Sequence, residues 1–256
     1  MTTHPQLDTG EVTQQVKALY RRVALEPQAS YHFPTGRPLA EQLGYPTDLL
    51  DRIPAEALAS FAGVGYALDF ANLTAGDRVL DLGSGSGTDS FVAALLVGPT
   101  GTVTGLDMTD EQRAKADRLR GGAASIRFVP GHLEDLPIPD ESVDVVISNG
   151  VINLCPDKAR VFREIARVLT RSGRVAIADI VAARPLPESV TCNADLWSAC
   201  IGGAATEVAY RAAIEQAGLE LDTIRNVPNY RFLTDRAQSA SLNYGVRAVT
   251  LAAHRR

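Results

Sequence analysis

Cysteine is scarce in this chain, with three in 256 residues, Cys155, Cys192 and Cys200. So few, confined to one stretch, cannot supply a disulfide framework, and reduced thiols are expected. Long apolar runs are also missing. No stretch approaches the roughly 18 uninterrupted apolar residues of a membrane span, and the N-terminal MTTHPQLDTGEV has no basic patch followed by an apolar segment. Lys and Arg do not cluster beyond pairs, and the net charge of −5 with a pI near 5.4 argues against nucleic acid or an anionic membrane as the partner. These absences leave a cytoplasmic protein acting on a small molecule as the expectation; they carry nothing about oligomeric state.

What is present is an ordinary globular composition, 45% hydrophobic and 21% charged, in a length that suits one α/β domain with additions. The chain is organised around Val79 to Asp89, VLDLGSGSGTD. Val79, Leu80 and Leu82 read as a short buried strand, Gly83, Gly85 and Gly87 as a tight turn, and Ser90 to Val97 as a helix. Glycines at such a turn let a ligand approach the backbone without meeting a Cβ.

The glycine spacing separates two cofactor classes. A dinucleotide fold needs G-x-G-x-x-G, with the pyrophosphate on the helix N-terminus. This chain has G-x-G-x-G, preceded by Asp81. A carboxylate there would repel a pyrophosphate and pair with an ammonium group. Twenty residues beyond Gly87, Asp107 ends a second strand-like run, Thr102 to Leu106, placed to accept from two ribose hydroxyls. An adenosine carrying a positively charged amino-acid tail fits both carboxylates.

Other segments extend the alternation. A helix is expected over Glu11 to Leu25 from Val12, Val16, Leu19, Tyr20 and Val23, then an irregular Tyr31–Pro38, a short helix over Leu39 to Leu43, and a stop at Gly44-Tyr45-Pro46. Residues 1–55 thus form a cap or lid. Phe61-Ala-Gly63-Val64-Gly65 is a turn able to bring backbone close to cofactor or acceptor. A helix over Asp110 to Leu119 leads to a strand over Ile126 to Val129 and the loop Gly131-His-Leu-Glu-Asp-Leu-Pro137. Leu133 and Glu134 are placed to flank an adenine, Leu133 by packing and Glu134 by accepting its amino group. Strands over Ser142 to Ile147 and Arg174 to Ile180, joined through a helix over Lys158 to Leu169, complete a doubly wound, mostly parallel sheet over residues 56–183, with Asn149 turning out of the fourth strand at the ligand edge. Residues 184–256 are expected to add a helix over Asp195 to Ala204, a helix over Thr206 to Ala217, and sheet-completing strands over Leu219 to Val227 and Tyr244 to Ala253, within the same domain.

Asp81-Leu-Gly-Ser-Gly-Ser-Gly with Asp107-Met108 resembles the first two motifs of the class I S-adenosylmethionine-dependent methyltransferases. Within that class the chain resembles the arsenite methyltransferases from Asp77 to about Ala204, through Asp107-Met-Thr109, Glu134-Asp-Leu-Pro137, Val151-Ile-Asn-Leu154, Val161-Phe-Arg-Glu164, Asp179-Ile-Val181 and Cys200-Ile-Gly-Gly-Ala204. The resemblance implies a Rossmann-like fold and S-adenosylmethionine as cofactor, seated on Asp81, Gly83, Ser84, Gly85, Gly87, Asp107, Met108, Leu133, Glu134 and Asn149. That family holds soft, thiophilic arsenic(III) between thiolates. Cys200 matches one of them. Gly150 and Val64 stand where the family carries cysteine, so two matched thiol positions are empty.

The acceptor is therefore expected to be a small organic molecule. Arsenite held by Cys200 with Cys155 and Cys192 is the alternative; a sulfonium-binding protein without transfer activity is another, and a nicotinamide oxidoreductase is disfavoured by the glycine spacing. An oxygen or nitrogen acceptor needs a base, and His32, in Tyr-His-Phe-Pro of the cap, is the candidate over His4, His132 and His254. Tyr20, Tyr31, Phe33 and Trp197 are candidates to wall an apolar acceptor pocket.

Overall fold

A computed structural model describes residues 8–193, Trp197 and 201–256. The cap begins with α1 (Thr9–Leu25), opened by Asp8, whose carboxylate accepts from the backbone N–H of Gly10 and Glu11. Its apolar stripe buries Val12, Val16 and Val23. Three short helices follow, α2 (Gly36–Gln42), α3 (Thr47–Leu50) and α4 (Ala55–Ala59), and then a 3₁₀ turn over Ala67–Phe70. The helix expected from Leu39 starts three residues earlier, because Pro38 falls in the first turn, where no intrahelical N–H is needed.

The sheet alternates with helices as expected: β1 (Arg78–Leu82), α5 (Thr88–Val97), β2 (Thr102–Asp107), α6 (Asp110–Arg120), β3 (Ile126–Pro130), β4 (Val143–Asn149), a 3₁₀ turn over Ile152–Leu154, α7 (Lys158–Val168) and β5 (Leu169–Val181). The chain then adds α8 (Glu188–Thr191), α9 (Glu207–Gln216), β6 (Leu219–Asn226), α10 (Asp235–Tyr244) and β7 (Arg247–Arg255). Seven strands run in the order β3-β2-β1-β4-β5-β7-β6. Those from β3 to β5 pair in parallel; β7 is antiparallel to both β5 and β6. Alternation along each strand divides the core. Leu80, Leu82 and Val146 pack with α7 and α9 on one face, and Val79, Val145 and Ile147 with α5 and the cap helices on the other. Each such side chain, fully buried, contributes about 1.5–3 kcal/mol.

Two expectations change. β5 starts at Leu169, directly after α7, instead of at Arg174; the register slips opposite Val143 and Val145, and residues 170–173 bulge out within the strand. α10 was unforeseen. Its buried positions are only Ala237 and Ala240, too small to give an apolar period, and Tyr244, expected to open the last strand, instead ends this helix before Gly245 at φ +64°. The helix expected over Asp195 to Ala204 lies largely outside the described residues, and Cys200 with it.

β1 and β4 are neighbours whose crossovers diverge to opposite sides, to β2 and to β5. A crevice at their C-terminal ends is the usual ligand position in such sheets.

Candidate cofactor and acceptor site

The crevice is a partly open cavity of about 1070 Å³, counting the solvent at its mouth, between the sheet edge and the cap. Asp81, Gly83, Ser84, Gly85, Asp107, Met108, Leu133, Glu134 and Asn149 all line it. They come from the ends of four different strands, so the parallel topology is what gathers them. Gly87 does not line it. At φ +94° it precedes α5, and a Cβ there would meet the Phe91 and Phe128 rings at 2.9 Å, so it serves the packing of the helix on the sheet. Gly83, at φ +68°, lies against Val151, whereas a Cβ on Gly85 would find nothing nearer than the Gln112 side chain at 3.7 Å, leaving its backbone open to a ligand.

Three buried carboxylates set the electrostatics. Asp81 accepts from Ser90 Oγ at 2.6 Å, and burial together with the neighbouring Asp89 pushes its pKa up to about 8. Asp89 also lies above its ordinary value through burial, partly offset by the Tyr45 hydroxyl at 2.5 Å and Asn149 Nδ2 at 3.1 Å. Asp107 is raised by burial and held back by backbone N–H groups of Thr109 at 2.8 Å and Gly85 at 2.9 Å, one on each oxygen. Negative charge in this cavity is thus costly until a cation arrives. Ser84 Oγ, buried in the wall, has no hydrogen-bond partner among the described residues. An orphaned hydroxyl, an open glycine backbone and carboxylates in want of a cation fit an adenosine with a cationic tail.

Asp89, Gln112, Thr13 and Val16 join the wall without having been anticipated, whereas Tyr20 and the Phe61 to Gly63 turn, both anticipated, also line it. Asp89 closes the glycine-rich stretch and falls in the first turn of α5; Gln112 sits in the first turn of α6, accepting from Ser86 Oγ at 2.5 Å and donating to the Tyr20 carbonyl at 2.9 Å. Thr13, Val16 and Tyr20 of α1 form the outer wall, with Phe61 to Gly63 beside them. Tyr31, Phe33 and Trp197 do not line the cavity. Phe33 stacks on Tyr20 at 6.0 Å, and Trp197 carries the Lys158 ammonium 5.2 Å above its ring. His32, the expected base, is edge-on to Phe33 and off the cavity wall, while His132 lines it.

Positions 64 and 150 adjoin. A Cβ on Gly150 would lie 3.3 Å from Val64 Cγ1, and Asn149 ties the two segments by accepting from the Val64 N–H at 2.8 Å. Gly150 sits at φ +75°, with its N–H on the Ala178 carbonyl at 2.8 Å. A side chain there is strained whatever the space. Cys155 is buried in the cavity wall, and burial with the Glu134 charge raises its thiol well above the usual range. Cys192 caps α8 and does not line the cavity. Among the described residues no group of three His, Cys, Asp or Glu could hold a metal ion.

A family model described as a methyltransferase domain matches residues 73–223, more than half the chain and all five parallel strands. The chain belongs to the class I S-adenosylmethionine-dependent methyltransferases. Within that class it is similar to the arsenite methyltransferase of Halobacterium salinarum, 43% identical over 183 residues, which are 71% of this chain and 46% of the relative. It is also similar to 27-O-demethylrifamycin SV methyltransferase of Amycolatopsis mediterranei, 32% identical over 62% of this chain and 59% of that one. Among solved structures, an arsenic(III) S-adenosylmethionine methyltransferase from Chlamydomonas reinhardtii matches with a TM-score of 0.65 and 31% identity, over 87% of this chain and 74% of that chain. The chain spans about half the length of the curated arsenite methyltransferases it matches.

Proposed function

We propose that this protein transfers the methyl group of S-adenosylmethionine to a small organic acceptor and does not efficiently methylate arsenite. The cofactor, when bound, supplies an electrophilic methyl carbon on a sulfonium. Asp107 takes the ribose hydroxyls, with both its oxygens oriented by backbone N–H groups; Asp81 faces the ammonium tail; Ser84 Oγ gains the partner it lacks; Leu133 and Glu134 flank the adenine. α1 closes the cavity against water, and the walls align the acceptor for in-line displacement, the main source of rate in such a transfer.

The observation that carries the acceptor assignment is the contact of Gly150 with Val64. The two positions converge as a pair of thiolates would have to, yet one offers an apolar side chain and the other a left-handed backbone that suits glycine. A trivalent arsenic held by one thiolate would be weakly bound and mobile, so alignment would be lost. The rifamycin-named relative supports an organic acceptor on this scaffold.

The test is to incubate the reduced protein with methyl-labelled S-adenosylmethionine and arsenite, beside the Val64→Cys and Val64→Cys/Gly150→Cys variants. Inactivity of the native chain supports the reading. Arsenite turnover that is abolished by Cys155→Ser or Cys192→Ser overturns it.

A further inference from the structure

Tyr45 belongs to the cap, yet its hydroxyl reaches a carboxylate of the cofactor cavity. Gly44, at φ +96°, turns the chain out of α2, and Pro46 opens α3, which holds Tyr45 between two fixed ends. The ring is buried, with its centroid 5.1 Å from that of Phe61 and 4.4 Å from that of Tyr66. Its O–H donates to Asp89 Oδ1 at 2.5 Å and its oxygen accepts from Asn149 Nδ2 at 3.0 Å. Asn149 in turn reaches Asp89 Oδ2 at 3.1 Å and the Gly65 carbonyl at 2.8 Å. Asp89 is therefore gripped at both oxygens by groups from the cap and from the end of β4, while its residue lines the cavity.

We propose that Asp89 is a second seat for the cationic amino-acid tail of the cofactor, and that Tyr45 is the positioning residue coupling occupation of that seat to docking of the N-terminal cap. The inference rests on the cofactor reading above. The titratable groups that face Asp89 are Tyr45, Asp81 across the turn and Tyr66 behind Tyr45, with Asp107 acting on Asp81; among the described residues no basic side chain pairs with Asp81 or Asp89. Burial raises both carboxyls, Asp81 further through the charge of Asp89, and a cation seated on them offsets that cost. Both oxygens of Asp89 accept, one from the Tyr45 O–H and one from Asn149 Nδ2, so the carboxylate keeps its orientation toward the tail only while α2 and α3 hold Tyr45 in place. Occupation of the tail seat thereby tightens α2 and α3 on the sheet. By linkage, a docked cap tightens the cofactor by the same factor.

The experiment follows amide hydrogen exchange across α2 and α3 with calorimetry of ligand binding, in the native chain and in Tyr45→Phe and Asp89→Asn. The ligands are S-adenosylhomocysteine and 5′-methylthioadenosine, which keeps the nucleoside and lacks the amino-acid tail. In the native chain S-adenosylhomocysteine is expected to slow exchange in α2 and α3 by about tenfold or more, the size of a typical coupling between sites, and 5′-methylthioadenosine to bind without doing so. Tyr45→Phe still binds S-adenosylhomocysteine, and the ligand-dependent slowing is gone; Asp89→Asn loses the slowing together with more of the affinity. Equal slowing in Tyr45→Phe and the native chain, or equal slowing by both ligands, overturns the proposal. So does faster exchange in Tyr45→Phe by the same factor with and without ligand, which is what a purely structural tyrosine would give. Absence of any binding heat in the native chain would instead overturn the cofactor reading, and is distinguishable from all of these.

Discussion

The two halves of the cavity differ in how they are built. The cofactor half is backbone and carboxylate: a glycine turn between β1 and α5, Asp81 on β1 held by Ser90 of the helix after that turn, and Asp107 at the end of β2 held by the N–H groups of Thr109 and of Gly85 in the turn. The acceptor half is assembled across the chain, from α1, the Phe61 to Gly63 segment, the 3₁₀ turn after β4 and Cys155. The first half is carried by one strand–turn–helix unit and the strand beside it, so its residues recur as motifs in the sequence; the second depends on side chains brought from segments far apart in the chain. Cofactor and substrate can therefore diverge separately on one scaffold.

The largest effect that would break this contrast is at Asp107. Asp107→Ala is expected to weaken S-adenosylmethionine binding by roughly 1.5–3 kcal/mol, the range for hydrogen bonds to a charged group, while Cys155→Ser leaves it unchanged by calorimetry. Equal losses in both variants would mean that the halves are not separable.

At the acceptor half, Gly150→Cys is expected to cost about 1–2 kcal/mol of stability, because the residue must hold φ +75°, and Val64→Cys less than that, since its buried site loses only a small apolar volume. Chemical denaturation of the two single variants checks the order. If Gly150→Cys is the milder of the two, the left-handed backbone is not what excludes a thiol there.

A pH series sharpens the electrostatic side. Asp81 keeps its proton in the folded state up to about pH 8, whereas an unfolded Asp releases it near its ordinary value of about 4. Between these values the folded chain binds the extra proton, so this group's contribution to stability is full below about pH 4 and is lost as pH rises toward 8. A cation bound beside Asp81 reverses that loss. The rise in melting temperature caused by S-adenosylmethionine should therefore grow from pH 5.5 to pH 8, with an upper bound of about 1.4 kcal/mol per pH unit for one proton, and Asp81→Asn should flatten the trend. A shift that is constant with pH in the native chain would remove Asp81 from the cation seat.

The smallest effect is at Ser84. Ser84→Ala removes a buried hydroxyl that has no partner among the described residues, so the free protein should be as stable as the native chain or slightly more so, while S-adenosylmethionine binding weakens by about 0.5–1.5 kcal/mol. A drop in stability without a change in affinity would show that the hydroxyl serves the fold.

What the sequence showed and what it hid follow the same division. β1, the glycine turn and Asp107 were legible because strand alternation, glycine spacing and a carboxylate at a strand end are local signals. Asp89 was passed over because an acidic residue in the first turn of a helix has an ordinary explanation in the helix dipole. Gln112 and Tyr45 carry no local signal at all: their hydrogen-bond partners lie 26 and 44 positions away in sequence. The absence of cysteine at 64 and 150 could be read directly, whereas the backbone angle that makes Gly150 a poor host for a thiol could not. The position of His32 off the cavity wall could not be read either, since a histidine in a Pro-rich cap has no sequence feature that says which way its ring faces.

The most direct measurement of the central claim is a single labelled-methyl experiment on the reduced native chain, with binding of S-adenosylmethionine followed by calorimetry and arsenite offered as acceptor. The account predicts clear binding of S-adenosylmethionine and no labelled methylarsenical. Binding accompanied by arsenite turnover that Cys155→Ser abolishes would contradict it.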